Sequence, residues 1–324
     1  MTSNRREICI SILATGLASS LLSHAAEPYP LRPVKLIVPY AAGGGSDALA
    51  RLVANGLGSN VPGTFVVENT GGAGGSVGLG TLVRSAPDGY TLILLSTSHA
   101  SNAAVMKLNY DVTKDIKPIG LIAAGPWILV ANRTVGANDL GTLIKIAKAN
   151  PGSVNYASSG QGSSTHLATE LFAKRAGIQL THIPYRSSGA GLTDLLTNRV
   201  QIMLASAPTV ASYIRDGRLN ALSVSTARRS KVLPDIPTLQ EQGVPNYSEQ
   251  LWHALAAPAG TPEVIVQKLS AALDKTLRSQ EAATQFAREG LLPQWSSPEA
   301  LKELIAADVK RWHETVRIAS IKVE

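Results

Sequence analysis

From residue 34 onward, apolar runs of strand length alternate with segments whose apolar positions recur every three or four residues. The strand-like runs are "VKLIV" (34–38), "TFVVEN" (64–69), "GYTLILLS" (89–96), "SVNYAS" (153–158), "LTHIPY" (180–185) and "VQIMLAS" (200–206). Between them lie the helical patterns "ALARLVANGL" (48–57), "HLATELFAKRAG" (166–177) and "LTDLLTNR" (192–199). Such alternation predicts an α/β fold of open, mostly parallel sheets with helices on both faces. After Pro258 the pattern is helical only. Thr261 and Pro262 start a helix that buries Ile265, Leu269, Leu273 and Leu277, and Ser297 and Pro298 start one that buries Leu301, Leu304, Ile305, Val309 and Trp312. This tail reads as a lid packed on a finished sheet.

The first strand runs into "PYAAGGGSD" (39–47) and then directly into a helix. A glycine-rich strand-to-helix turn lets a guest approach the backbone at a helix N-terminus, whose free N–H groups attract negative charge. The motif has an echo: "GGGS" at 43–46 is matched by "GQGS" at 160–163, again between a strand and an amphipathic helix. Two such turns suggest two similar lobes facing each other, with one solute held between them at the carboxyl ends of the strands.

The N-terminal segment stands apart from this pattern. "MTSNRRE" is basic, "ICISILATGLASSLL" is apolar, and "SHA" precedes Ala26 as a small-residue cleavage signal, so an export signal cut after Ala25 is expected. Arg5 and Arg6 fit either a general or a twin-arginine route. The apolar stretch falls short of the ~20 residues of a membrane span. The single cysteine, Cys9, lies inside the signal, which leaves the exported chain without disulfides, thiolate zinc sites or cysteine nucleophiles. The formal charge is +7, of which the signal carries +1, and apart from "ARRSK" (227–231) the basic residues are dispersed and not interleaved with aromatics. That argues against nucleic-acid binding and for a mild attraction to anions.

Three motifs compete with solute capture. Gly43, Gly45 and Ala48 fit the dinucleotide fingerprint, with Glu68 ending the next strand. Export away from free nicotinamide cofactors and the lack of a catalytic partner weigh against it, and no cofactor is expected. No Lys follows a glycine loop, which removes the P-loop reading. "GGSVG" (74–78) has nucleophile-elbow spacing, with Asp194 and His253 downstream, but Thr70 to Ala73 separate the strand from the glycine, and Ser76 reads as a helix cap. His166 follows Ser163 at helical spacing, which suits a capping or pocket-lining histidine better than a catalytic pair. His99, His182, His253 and His313 show no metal spacing, so no metal site is expected. Trp127 and Trp252 border the two expected crossings between lobes, where core packing and a pocket role are equally open.

From about Tyr29 to its end the chain resembles the tripartite tricarboxylate transporter receptors, the Bug or TctC-like extracytoplasmic solute-binding proteins. The resemblance rests on "YPLRPVKLIVPYAAGGGSDALARLVA", "VVENTGGAGGSVG", "APDGYTLILLS", "SGQGSSTHLATELF", "HIPYRSSGAGLTDLLTNRV", "RRSKVLPDIPTLQEQGVPNY" and "LWHALAAPAGTP" in that order. It implies a type II periplasmic clamshell of two lobes, residues 27–126 plus 253–324 and residues 127–252. The clamshell would bind a small organic carboxylate as a monomer and present it to membrane transporter subunits or to a sensor protein, without catalysis. Carried onto this chain, the first-lobe site would be Tyr40, Ala41, Gly43, Gly44, Gly45, Ser46 and Asp47, with Ser96, Thr97, Ser98 and His99 after the third strand. The facing site would be the loop Ser158 to His166, with Ser158, Gly160, Gln161, Gly162, Ser163 and His166 foremost, joined by Tyr185, Arg186, Ala205 and Ser206. The chain departs from its relatives where they commonly show Lys before glycines, having Arg186, Ser187 and Ser188, and where they often carry Asp, having Ala205 near Gln201. The missing carboxylate argues against an amine-bearing ligand.

Overall fold

The computed structural model describes residues 29–231, 233–288 and 291–322. The export segment, with Arg5, Arg6 and Cys9, lies outside the described residues. The strands are β1 (Val34–Val38), β2 (Phe65–Asn69), β3 (Thr91–Ser96), β4 (Ile116–Gly125), β5 (Trp127–Asn132), β6 (Asn155–Ser158), β7 (Thr181–Pro184), β8 (Ile202–Ser206), β9 (Leu219–Val224), β10 (Leu251–Pro258) and β11 (Leu292–Pro293). The α-helices are α1 (Gly45–Asn60), α2 (Ser76–Val83), α3 (Thr97–Val105), α4 (Leu140–Ala149), α5 (Ser164–Ala176), α6 (Ser188–Leu196), α7 (Ala207–Arg215), α8 (Glu263–Leu277), α9 (Gln280–Arg288) and α10 (Pro298–Ala319).

Two sheets result, one in the order β11-β4-β10-β3-β1-β2 and one in the order β7-β6-β8-β5-β9. The expected parallel pairing holds where helices cross over, between β1 and β2, β1 and β3, β6 and β7, and β6 and β8. Strands at the crossings between sheets pair antiparallel: β10 with β3 and β4, and β5 with β8 and β9. Both sheets are therefore mixed. Only Pro126 separates β4 in one sheet from β5 in the other, and the chain returns from the end of β9 to β10.

The sequence pattern did not announce β4, β5, β9 or β10. All six residues of β5 and all eight of β10 are buried, so neither has a polar face to alternate with, and β4 carries Pro118 and Gly120 inside its run.

The tail is more than a lid. It contains the short strand β11, paired with β4, and α8 packs on α1 and β4. Helix α10, capped by Ser297 Oγ accepting from Ala300 N, packs on α3 and β4 of one lobe and on α5 of the other. Its buried face is Leu301, Ile305, Asp308, Trp312, Thr315 and Val316, whereas Leu304 and Val309 are only partly covered, as is Ile265 on α8.

The apolar cores divide unequally. One core belongs to the first sheet and α1 and α8, with Leu36, Leu57, Leu94 and Leu269. A second belongs to the other sheet and α6 and α7, with Ile128, Leu195, Met203 and Val210. The third runs through both lobes, joining Ile93, Leu121 and Trp312 to Leu129, Leu167, Phe172 and Tyr247.

Candidate functional site

Five helices, α1 and α3 of the first lobe and α5, α6 and α7 of the second, each begin just after the carboxyl end of a strand. Their first turns line one cleft between the sheets. The first lobe supplies Tyr40, Ala41, Gly44, Gly45, Ser46, Ser96, Ser98 and His253. The second supplies Ser159, Ser164, Thr165, Ser187, Ser188, Ser206 and Thr209, and Trp127 and Leu251 come from the starts of the two crossing strands. Among the described residues, no Lys, Arg, Asp or Glu lines this cleft.

Two of the five helices are left uncapped by side chains. Gly44 caps α1 and Ser206 caps α7 with backbone alone, and Ser206 Oγ is engaged with Thr209 Oγ1 at 2.9 Å. These two N-termini face each other across the cleft. A Cβ on Gly45 would lie 3.2 Å from Pro208 Cβ and 3.3 Å from Ser206 Oγ, so the third glycine of the first loop is what allows α1 to meet α7. By contrast α5 and α6 are capped, Ser163 Oγ accepting from His166 N and Ser187 Oγ from Ala190 N.

The polar groups of the cleft are donors without formal charge. Tyr40 and Ser96 share a hydrogen bond of 2.8 Å, Ser98 and Ser164 one of 3.0 Å across the lobes, and Ser46 Oγ lies 3.1 Å from His253 Nε2. Burial pulls the His99 and His253 pKa values down to about 4, with the neighbouring His99 adding to the effect on His253, so both rings are neutral at pH 7. Burial likewise raises the Tyr40 pKa and keeps its hydroxyl protonated. Each helix N-terminus favours an anion by roughly 0.3–1 kcal/mol at exposed sites and by more where water is excluded. A cleft of N–H and O–H groups, with helix dipoles and no neutralising cation, suits a small anion.

Eight of the sequence-derived residues line the cleft: Tyr40, Ala41, Gly44, Gly45, Ser46, Ser96, Ser98 and Ser206. The others have local roles. Asp47 holds the loop, accepting from Gly43 N, Asn69 Nδ2 and Arg51, while Gly43 turns the chain at φ +83°. Thr97 Oγ1 accepts from Trp252 N, which ties α3 to β10. His99 Nδ1 accepts from Ser96 N behind the cleft. Ser158 Oγ pairs with His182 Nε2 at 2.6 Å. His166 stacks on His182 with centroids 4.0 Å apart and accepts from Gly162 N, so it braces its loop and does not line the cleft. Tyr185 OH donates to Asp194, Ala205 is buried in the second-lobe core, and Arg186 is exposed.

The glycines of the second loop are placed differently from those of the first. A Cβ on Gly160 would come within 3.1 Å of Gly74 N, and one on Gly162 within 2.7 Å of Met106 Cε. These glycines let the second lobe press backbone to backbone on the first, with Ser101 Oγ donating to Gly162 O, and Gln161 points outward. That lobe lines the cleft with hydroxyls at its helix starts: Ser159, Ser164 and Thr165, which fall inside the 158–166 loop expected from the sequence, Ser206, expected as well, and Thr209, Ser187 and Ser188, the last two noted in the sequence only as departures. A Ser or Thr just past each strand end was the available signal.

The hydrolase motif does not assemble. Ser76 is the first residue of α2, whose cap is Gly75 in the left-handed region, so it is not the cap. His253 pairs with Ser46 and Asp194 with Tyr185 and Arg199, so the hydrolase trio is not connected. Trp252 bonds Asp308 through Nε1 and is structural, while Trp127 is both buried and at the cleft wall.

Two lobes joined by two crossings, with a donor-lined cleft at strand ends, define a solute-binding receptor. The family described as "Tripartite tricarboxylate transporter family receptor" matches residues 49–321, and the chain belongs to it. It is similar to protein BugT of Bordetella pertussis, 36% identical over 321 residues, covering 98% of this chain and 97% of the relative. Among solved structures, the R. palustris protein Rpa4515 with adipate superposes with a TM-score of 0.88 at 32% identity, covering 91% of this chain and all of that one. MatC from Rhodopseudomonas palustris with bound malate gives 0.85 at 30%, covering 89% of this chain and all of that one.

Proposed function

We propose that the protein is a periplasmic receptor that captures a small carboxylate between its lobes and delivers it to a tripartite tricarboxylate-type transporter, without catalysis. The observation that carries this reading is the convergence of five helix N-termini on a cleft lined by hydroxyls and, among the described residues, by no Lys or Arg. The relatives solved with adipate and malate point to the same chemistry. In this reading the lobes are residues 27–126 plus 253–324 and residues 127–252, the signal is removed after Ala25, and the receptor acts as a monomer. The ligand touches both lobes and so favours the shut state that the membrane partner recognises. The absence of a lining carboxylate disfavours a ligand with an ammonium group, which would have no counter-charge.

A thermal-shift screen of the exported chain tests this. Mono-, di- and tricarboxylates are expected to stabilise the folded chain by mass action, by about 2.7 kcal/mol at a concentration of ~100 Kd, and so to raise its melting temperature. NAD and NADP are expected to leave it unchanged. A response to the dinucleotides alone would sink the proposal, as would saturable esterase turnover lost in Ser76→Ala.

A further inference from the structure

His253 sits at the floor of the cleft on β10, opposite Ser96 in the strand register, and is 5% exposed. Its ring has two nitrogens and one partner. Nε2 lies 3.1 Å from the hydroxyl of Ser46, the second residue of the uncapped helix α1, whereas Nδ1 is buried with no hydrogen-bond partner among the described residues. A neutral imidazole must carry its proton on one of the two. A proton on Nδ1 would leave a buried N–H donor orphaned, the rarer and costlier arrangement, while a proton on Nε2 leaves only an under-used acceptor.

Ser46 then follows. A serine hydroxyl has one proton and two lone pairs. When Nε2–H donates to Ser46 Oγ, the Ser46 proton is released from the ring and free to turn into the cleft. In the opposite tautomer Ser46 spends that proton on the ring and presents lone pairs to an incoming anion. We propose that His253 is a positioning residue, protonated on Nε2, that turns Ser46 into a hydroxyl donor aimed at the anionic group of the ligand beside the first-turn amides of α1. The proposal rests on the carboxylate reading of the cleft and adds the device that gives one of its hydroxyls a polarity. A rigid imidazole fixed in a strand is what this needs: the donor is set by the fold before the ligand arrives, so its orientation costs nothing on binding.

The test has two arms. Nitrogen-15 NMR of histidine-labelled protein without added ligand reads the tautomer directly, and an Nε2–H signature for His253 is expected, assigned by its loss in His253→Gln. Calorimetric titration then uses the acid of strongest response among adipate, malate and succinate. His253→Leu is expected to weaken binding by about tenfold, His253→Gln, which keeps a donor near the Nε2 position, by about threefold or less, and Ser46→Ala by about tenfold. The double variant Ser46→Ala/His253→Leu is expected to bind no worse than Ser46→Ala, because the histidine acts through the serine. Circular dichroism and melting curves check that each variant is folded. A merely structural histidine would move the melting temperature in His253→Leu and leave the titrations additive. A proton found on Nδ1, or additive losses in the double variant, overturns the proposal. If His253 carries its proton on Nε2 and none of the acids binds, it is the carboxylate reading that fails.

Discussion

The boundary between the lobes has two unlike sides. At the back, α3, α5 and α10 meet over a continuous apolar core, with Phe172, Tyr247 and Trp312 fully buried, and the Ser98–Ser164 and Ser101–Gly162 hydrogen bonds tie α3 to the second glycine loop. Arg311 of α10 adds an ion pair to Glu249 in the segment before β10 and another to Asp308. At the front, the cores are separate, one per lobe, and α1 meets α7 through Gly45, Pro208 and Ser206 with no shared apolar cluster. Separating the back would expose apolar surface and strip the buried Glu249 of its half-buried partner Arg311, while parting the front exposes two helix N-termini that water solvates readily. Parting the front is therefore the less costly of the two separations.

The packing at and behind the cleft floor can be broken by acid, with the largest effect expected. His99 and His253, held near pKa 4 by burial against about 6.5 when unfolded, are depressed histidines. The unfolded chain binds more protons between those values, so their contribution is intact above pH 6.5 and is lost as pH falls towards 4. At pH 5 each should have given up about 2 kcal/mol of stability. His166 and His182 shift in the same direction. Asp308, raised to about 6 by burial against its bond from Trp252, works the other way and offsets part of the loss. Urea unfolding at pH 7 and pH 5 measures the difference. Equal stabilities would mean that these rings are hydrated in the folded chain.

The front can be broken by one methyl-bearing side chain. Gly45 has an ordinary helical backbone, so Gly45→Val leaves α1 able to form, but its branched side chain meets Pro208 and Ser206 of the other lobe. Overpacking of this kind costs about 1–3 kcal/mol and falls wholly on the shut state, so affinity should drop by about a hundredfold while the melting temperature of the free protein hardly changes. Small-angle scattering with saturating ligand should show a larger radius of gyration than wild type. A variant that binds normally and closes fully would remove Gly45 from the boundary.

The two sides also differ in how far the sequence revealed them. The front was legible because its devices are local: the strand end at Val38, the glycines and the helix start adjoin one another in the chain. The back was not, because Gly160 and Gly162 are set against Gly74, Met106 and Val105 by tertiary approach, which periodicity cannot encode. The same glycine spacing therefore lines the cleft in the first lobe and is packed away from it, against the other lobe, in the second. His253 escaped notice as a cleft residue for a similar reason: it lies in β10, a strand buried throughout, whose partner Ser46 is 207 positions away.

The smallest expected effect separates backbone from side chain as the source of anion affinity at the front. Gly44 caps α1 without a side chain, and leaving its first amides open forgoes the stability that an acidic cap would add. In Gly44→Asp the new carboxylate takes up those amides and repels an anion, so the melting temperature of the free protein should rise slightly while affinity falls by at least about tenfold. Gln161→Asp, on the outward residue of the second loop, should change affinity by about threefold or less. Arg186→Gln removes an exposed cation that does not line the cleft, and a screened charge there is worth roughly 0.5 kcal/mol, again about threefold or less. The rival is an arginine clamp, in which Arg186 swings in on closure and grips the ligand through a bidentate pair. Calorimetry on the three variants decides between them. Retained binding in Gly44→Asp with abolished binding in Arg186→Gln would transfer the anion site from the helix N-terminus to the guanidinium, and would leave the uncapped amides of α1 without a function.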